Sequence, residues 1–285
     1  MALVAREDVP QARVAQRIVE RETGVAAQAE DDLDAAARVW ETLGLRVTPT
    51  SVQRTPEGPV GASNRCVMLE AGYIELLAPT QPTPAAERMR ALMRRYDGVH
   101  LTCFGTPDAE GEHRRLAAHG FEPQPPVELS REVAGGTARF KVVRLPPEKM
   151  PEGRIQYVEQ LTPERLWRAT DVNALRLEEV FIVADDPVET AARWARFGAL
   201  LPRAVGDGVR LETARGSVFI GTRAAIAKLL GEAPRAPAIA GYALGGGHPP
   251  ELLARCKSAG IAVEKRGARH AARLPVALGG VWLIG

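Results

Sequence analysis

The sequence predicts an α+β fold made of four βαβββ modules, and the first observation behind this is a pattern that occurs four times. Each copy has a polar residue at its start, a short amphipathic helix, and a glycine twelve positions after the start. The copies cover residues 32–44, 108–120, 186–198 and 248–260, so they begin 76, 78 and 62 residues apart. These intervals are too long for a solenoid repeat and match a small module with several strands.

The segments around the four helices are the second observation. Apolar or alternating stretches, which are typical of strands, follow every copy and precede most of them. A four-stranded module has one face to bury and one edge to cover, so we expect the modules to fuse in pairs around a shared cavity. The sequence therefore predicts two domains, residues 1–165 and 166–285, joined by the segment 160–174.

The first copy shows why these stretches are predicted to be helices. Asp32 or Asp34 can cap the N-terminus, and Gly44 suits the left-handed position that ends a helix. Apolar residues recur at intervals of three and four positions and give the helix one buried face: Leu33, Ala36, Ala37, Trp40 and Leu43.

The strands are predicted from alternation and from bounding turns. Residues 1–22 are expected to be a polar extension, and residues 25–29 to be a first strand that is poor in β-branched residues. The remaining strands of module one are predicted at 45–48, 65–69 and 73–77. Those of module two are predicted at 99–104, near 121, 140–145 and 154–159. In the second half we expect strands at 179–183, 209–213, 217–220, 239–244, 261–264, 274–276 and 281–284.

Composition limits the function classes. The formal net charge is +2, with 45% hydrophobic and 25% charged residues, which is ordinary for a globular protein. The basic residues form no long run, so a nucleic-acid surface is not expected, and no stretch approaches the length of a membrane span. Cys66, Cys103 and Cys256 lack CxxC spacing, and the charged N-terminus does not resemble a signal peptide. We predict a cytoplasmic protein, and the abundance of Ala and Arg is typical of a bacterial one.

Three stretches carry a resemblance to a known family. They are the helix DLDAAARVWETLGL, the segment 64–78 with NRCVMLEAGYIELLA, and QLTPERLWR at 160–168. Together they resemble the vicinal oxygen chelate superfamily, and in particular its two-domain, glyoxalase-like members. The resemblance implies two domains of paired βαβββ modules. It leaves the reaction open, because this superfamily includes isomerases, dioxygenases, epimerases, thiol transferases and metal-free binding proteins.

The resemblance also implies where a metal would be held, on the first and last strand of each module. Glu75 matches the last-strand position of module one, whereas Val25 matches the first-strand position and cannot bind metal. In module two the matching positions are Leu101, one place from His100, and Gln156. Because strand side chains alternate, His100 faces the cavity only if a bulge shifts the register. Glu75, His100 and Gln156 are the predicted metal ligands. The metal would be Zn, Fe, Mn, Ni or Co, and a protein without metal is the alternative.

The same count gives the second half a poorer set of side chains. Glu179 and Gly241 occupy the first-strand positions, and Phe219 and Trp282 occupy the last-strand positions. One carboxylate with two aromatic residues is not a metal site. The C-terminal domain is therefore predicted to be degenerate, and the working cavity is predicted in the N-terminal half.

Two functions remain open from the sequence. The first is a small-molecule enzyme of lyase, isomerase or dioxygenase type, with Glu75 and His100 as catalytic residues and Asn64, Arg65 and Gln156 as substrate-binding residues. The alternative is a metal-free protein that binds or sequesters a small molecule, with Glu75 neutralised by an arginine. The predicted partner in both is a small molecule, without nucleic acid or membrane, and a homodimer is compatible with both.

Overall fold

A computed structural model describes residues 13–17, 25–96, 98–274 and 281–285. The first half contains two modules and a helix between them. Module one consists of β1 (Arg13–Arg17), α1 (Val25–Thr42), β2 (Ser51–Thr55), β3 (Gly58–Ala71) and β4 (Tyr73–Pro79). Helix α2 (Pro84–Met93) leads to module two, which consists of β5 (Val99–Gly105), α3 (Ala109–Ala118), β6 (Val127–Val133), β7 (Gly136–Arg144) and β8 (Arg154–Gln160).

The second half repeats this order. A short 3₁₀ helix, Pro163–Arg165, precedes module three, which consists of β9 (Val172–Val183), α4 (Pro187–Gly198), β10 (Pro202–Val205), β11 (Gly208–Thr213) and β12 (Gly216–Gly221). Helix α5 (Arg223–Leu230) leads to module four, with β13 (Ala238–Gly245), α6 (Pro249–Ser258), β14 (Ala262–Arg266), β15 (Arg269–Arg273) and β16 (Val281–Ile284). The four βαβββ modules are thus confirmed, while the division at residue 165 stays a prediction.

Every module has the same sheet topology. Its first strand pairs in parallel with its last strand, as β1 does with β4 and β9 does with β12. The last three strands of each module follow as an antiparallel meander. First strands of paired modules then join antiparallel, β1 with β5 and β9 with β13. In the first half a bridge between Arg54 of β2 and Ser130 of β6 closes the eight strands on themselves. We call β1–β8 the N-terminal sheet and β9–β16 the C-terminal sheet.

The two sheets are joined by strand pairing and by packed helices. Strand β3 runs parallel to the start of β9, where Met68 lies opposite Val172. The module helices share one hydrophobic core with the outer faces of both sheets. At its centre the rings of Trp40 from α1 and Trp282 from β16 lie 4.3 Å apart, and both side chains are fully buried.

The two concave faces are filled differently. In the C-terminal sheet, Ile226 and Leu230 of α5 pack against Phe181, Phe219 and Leu283 in an apolar cluster. The concave face of the N-terminal sheet combines apolar residues with buried polar ones, including Asn64, Glu75 and Arg131. The first face is therefore covered mainly by an apolar cluster under α5, whereas the second carries a connected group of buried polar side chains. Among the described residues, no helix has both the length and the apolar character needed to cross a bilayer.

Several predicted strands are wrong. Residues 25–29 are the first turns of α1, and the first strand is instead Arg13–Arg17 inside the predicted polar extension. The stretch VAAQAEDD favours a helix because Ala, Gln and Glu are good helix formers. The strand RVAQR is stabilised by pairing with β4 on one side and β5 on the other. Residues 45–48 form no strand, and Leu274 lies just past β15, while residues 275–276 are outside the described residues.

Candidate functional site in the N-terminal sheet

Strand alternation places a row of side chains on the concave face of the N-terminal sheet. On β3 and β4 the pairing sets Cys66 opposite Glu75 and Met68 opposite Tyr73. Alternate residues such as Val67 and Ile74 face the helices instead. Because successive side chains of a strand point to opposite faces, Asn64 lies on the same face as Cys66 and Glu75.

Glu75 is at the centre of a hydrogen-bonded chain on this face. Its side chain is 0% exposed, and its Oε1 atom accepts hydrogen bonds from Gln53 Nε2 at 3.1 Å and from Asn64 Nδ2. The other end of the Asn64 amide, Oδ1, accepts a hydrogen bond from Arg131 Nη1 at 3.4 Å. Asn64 therefore connects a buried carboxylate to a buried guanidinium.

Arg131 projects from β6 and is 2% exposed. Its guanidinium lies over the ring of Phe140, 5.6 Å from the ring centroid. The remaining nitrogens, Nε and Nη2, have no hydrogen-bond partner among the residues that the structure describes. A buried charged group with unused donors is costly unless something pairs with it.

Arg131 lines a cavity of about 450 Å³. The cavity lies where β2, β3 and β6 meet the segment that enters β9, and its volume falls in the range of about 300–1,000 Å³ that is usual for small-molecule pockets. Its apolar lining is formed by Pro49, Met68, Val133, Ala134 and Leu166. Two further arginines line it, Arg165 and Arg168, which donate to the backbone carbonyls of Gly135 and Ala134 respectively.

A second polar group on the concave face surrounds Gln156 of β8. Its Nε2 atom donates to Cys103 Sγ at 3.2 Å, and its Oε1 atom accepts from Arg154 Nε at 3.0 Å. Burial, together with the charges of Arg154 and Arg88, lowers the pKa of the nearby Arg144 to about 9. This end of the sheet is therefore rich in cations.

His100 lies at an irregularity in β5. Ala15 of β1 is opposite Leu101 while Gln16 is opposite Val99, so His100 is the extra residue of a bulge, as its predicted role required. Its ring stacks on that of Tyr96, with the centroids 4.3 Å apart. Burial raises the pKa of Tyr96 above its ordinary value. A catalytic role for His100 stays a prediction.

Arg65, predicted to bind substrate, lies on the outer face. Its guanidinium donates to Asp34 at 2.8 Å, to Glu41 at 3.1 Å and to the carbonyl of Thr48 at 2.8 Å. These contacts hold α1 and the loop before β2 against β3. The structure thus brings Asn64 and Glu75 together and leaves Arg65 on the opposite side of the sheet.

The predicted metal ligands do not form a donor set that suits a divalent cation. The Arg154 guanidinium already occupies Gln156 Oε1, and two amides already donate to Glu75 Oε1. No cluster of three or more His, Cys, Asp or Glu side chains able to hold a metal occurs in the described part of the chain. A carboxylate bound by amides beside an arginine is arranged for hydrogen bonding, so we derive no chemical step through a metal.

The carboxylate at the first-strand position of the C-terminal sheet, Glu179, is held by several polar contacts. It accepts hydrogen bonds from Arg210 Nε at 2.7 Å and from Ser217 Oγ at 3.0 Å, and Arg269 Nη1 lies 3.6 Å away. With α5 packed on the concave face, these contacts leave Glu179 as part of a structural ion-pair group.

Arg131 and Gln53 are the site residues that the sequence did not reveal. The stretch VELSREV forms β6 and alternates Leu129, Arg131 and Val133 on one face, so the strand predicted near residue 121 is wrong and lies at 127–133 instead. An arginine at an inward-facing position of an alternating strand is the sequence signal that indicates a buried binding residue here.

Comparison with known proteins gives the family. The family model described as a glyoxalase-like domain matches residues 25–198, more than half of the chain. No curated protein sequence matches this chain.

Solved structures show the same fold. A hypothetical protein from Staphylococcus aureus aligns over 97% of this chain and 98% of its own, with 10% identity and a TM-score of 0.59. A variant of 4-hydroxymandelate synthase from Streptomyces coelicolor aligns over 97% of this chain and 92% of its own, with 14% identity and a TM-score of 0.58. A fusion protein of a xylose isomerase-like TIM barrel and 4-hydroxyphenylpyruvate dioxygenase matches 98% of this chain with 49% of its own, at 14% identity and a TM-score of 0.55. The chain belongs to the glyoxalase-like domain family, within the vicinal oxygen chelate superfamily.

Proposed function

We propose that this protein binds a small organic molecule in the Arg131 cavity of its N-terminal domain, residues 1–165, and that the C-terminal domain, residues 166–285, serves as a structural partner. The contrast between the two concave faces supports this division. One face has a cavity of about 450 Å³ beside a buried polar chain, and the other is filled by α5. Leu166 and Arg168 close the cavity from the linker, so the two domains share its wall.

The observation that carries the proposal is the state of Arg131. A guanidinium that is 2% exposed retains two nitrogens without partners among the described residues, although it lines a cavity. Buried polar groups in folded proteins are nearly always hydrogen-bonded. A ligand that supplies acceptors in the cavity would satisfy these donors, and Glu75 would hold Arg131 in place through Asn64.

An enzyme remains the second candidate, because a carboxylate lies one side chain behind the guanidinium. In a lyase, isomerase or dioxygenase of this family, Glu75 would move a proton while Arg131 holds the substrate. Glu75 is not among the residues that line the cavity, however, so direct contact with a ligand would require Asn64 to move. Binding without turnover therefore fits the geometry better.

The test is a fragment library screened by thermal shift against the parent protein and two variants. Thr50→Trp adds bulk at the exposed rim of the cavity, and Glu179→Gln changes the carboxylate of the other half. We expect fragments that stabilise the parent and the Glu179→Gln protein but not the Thr50→Trp protein. Fragments that bind all three alike, or no binding fragments, would refute the proposed site.

Mass spectrometry of the fragments after incubation separates the two candidate functions. Conversion by the parent that disappears in Glu75→Gln, with binding retained, would establish an enzyme. Unchanged fragments after binding support a binding protein.

A further inference from the structure

We infer that the ligand is a carboxylic acid with an apolar body, and that its carboxylate pairs side-on with Arg131. The inference rests on the proposed function and names the class of molecule that the cavity would select. The geometry of the Arg131 guanidinium favours a carboxylate. Its Nη1 donates to Asn64, which leaves Nε and Nη2, the two atoms that form one edge of the planar group.

This edge matches one chemical group best. The N–H bonds of Nε and Nη2 are parallel, and a carboxylate can accept both with its two oxygens. Arginine is favoured over lysine in buried sites for this reason, since its fork recognises planar anions. A neutral carbonyl offers this edge one oxygen instead of two, and it would leave the charge of Arg131 without a counter-ion beside it.

The charges around the cavity agree with an anionic ligand. The lining includes three arginines, Arg131, Arg165 and Arg168, and two acids, Glu132 and Asp171. Glu132 accepts a hydrogen bond from Thr137, and Asp171 lies 4.0 Å from Arg168 Nε. Neither acid therefore pairs with Arg131, whose nearest described link to a carboxylate is the one to Glu75 through Asn64.

The apolar lining of the cavity indicates the chemistry of the rest of the ligand. Pro49, Met68, Val133, Ala134 and Leu166 offer hydrocarbon surface without further fully buried donors. A ligand with one charged end and an apolar or aromatic body would satisfy both parts of the cavity. A sugar or nucleotide would leave several hydroxyl groups facing these residues, which costs free energy when they are unpaired.

Isothermal titration with 2-naphthoate and 2-naphthamide tests the inference, because the two probes have the same shape and differ in charge. We expect 2-naphthoate to bind the parent protein, and the amide to bind roughly 10- to 100-fold more weakly, the value of a charge-assisted hydrogen-bonded pair. The Arg131→Gln variant should lose that preference. Arg131→Lys keeps the charge without the two-atom edge, and should bind the acid at least about tenfold more weakly than the parent.

Arg139→Gln is the matched control. Arg139 lies on the neighbouring strand β7, is half exposed and pairs with Glu128 outside the cavity, so its loss should leave the affinity for 2-naphthoate unchanged. If acid and amide bind equally and Arg131→Lys has no effect, the cavity still takes a small molecule but the carboxylate inference is wrong. If neither probe binds the parent protein, the carboxylate inference is wrong. The proposed function is tested separately, by the fragment screen.

Discussion

At the scale of single residues, the site depends on two buried charges, Glu75 and Arg131, that are linked through the side chain of Asn64 and do not contact each other directly. Glu75 and Arg131 are both almost completely buried, and the Asn64 amide donates to one and accepts from the other. The amide lets each charge stabilise the other while the Nε and Nη2 edge of Arg131 stays available.

Replacing Glu75 by Gln tests this connection. The variant keeps the shape of the side chain but removes the negative charge opposite Arg131, which leaves a buried guanidinium without compensation. We expect the free energy of unfolding to fall by about 3–5 kcal/mol, in line with the loss of one partner of a buried pair. Urea denaturation followed by circular dichroism measures it.

The control for this substitution is Glu70→Gln. Glu70 lies on β3, the strand that pairs with β4, but it is about half exposed and 3.6 Å from Arg176. An exposed pair of this kind contributes about 0–1 kcal/mol. Equal losses in the two variants would show that Glu75 has no special role in neutralising Arg131.

A buried thiol gives a prediction about pH. Burial raises the pKa of Cys256, on α6, from its ordinary 9.0 to about 11. The folded protein therefore holds the thiol proton more tightly than the unfolded chain does. The stability that this provides is fully present below pH 9 and is lost as pH rises through the window from 9 to 11.

Between about pH 8 and pH 10.5, the parent should lose about 2 kcal/mol more unfolding free energy than Cys256→Ala does. The comparison uses chemical denaturation of both proteins at the two pH values. All other titrating groups are common to both proteins, so their effects cancel in the difference. An identical loss in parent and variant would mean that Cys256 is not protected from ionisation by folding.

At the scale of elements, local signals decided which segments could be predicted. The helices α3, α4 and α6 begin after the residue that opens each repeat, and two of them have an aspartate cap: Asp108 accepts from Gly111 N and Asp186 accepts from Val188 N and Glu189 N. The cap predicted at Asp32 or Asp34 is wrong, because α1 already begins at Val25. Capping and amphipathic spacing are local, so the sequence reveals them. The strands β1, β2, β6 and β10 are polar or short and were missed or displaced, because pairing with neighbours rather than propensity stabilises them.

Helix α4 offers a direct test of the cap. Asp186→Ala removes two hydrogen bonds of 3.0 Å to the first turn and should lower stability by about 1 kcal/mol. Asp185→Ala, one position earlier and also exposed, is the matched control and should change little. Thermal unfolding of the two variants provides the measurement, and a larger loss in Asp185→Ala would contradict the assignment of the cap.

At the scale of the whole molecule, the same topology serves two purposes. Both halves pair two βαβββ modules, yet α5 fills one concave face while the other keeps a cavity. The repeats and the family resemblance sufficed to predict this architecture and to point to Glu75 and Asn64. They could not reveal Arg131 or the cavity, because both depend on how β6, the β2 loop and the linker come together in space.

The structural role of the C-terminal half can be tested with Ile226→Ala. Ile226 is fully buried on the concave face of the C-terminal sheet, so its truncation should cost about 2–4 kcal/mol of stability. Binding of 2-naphthoate should stay within about twofold of the parent at a temperature where both are folded, since distant sites act independently. A loss of binding without loss of folding would contradict the purely structural role of the C-terminal sheet.

The most direct test of the account is a methionine methyl NMR titration with 2-naphthoate. The chain has 5 Met residues, and among the described ones Met68 lines the cavity beside Arg131. Met150 is equally buried but belongs to the outer core, so its signal is an internal control. We predict that the Met68 methyl signal, assigned with Met68→Leu, shifts on addition of the probe while that of Met150 does not. A bound probe that leaves the Met68 signal unmoved would contradict the proposal that this cavity is the ligand site.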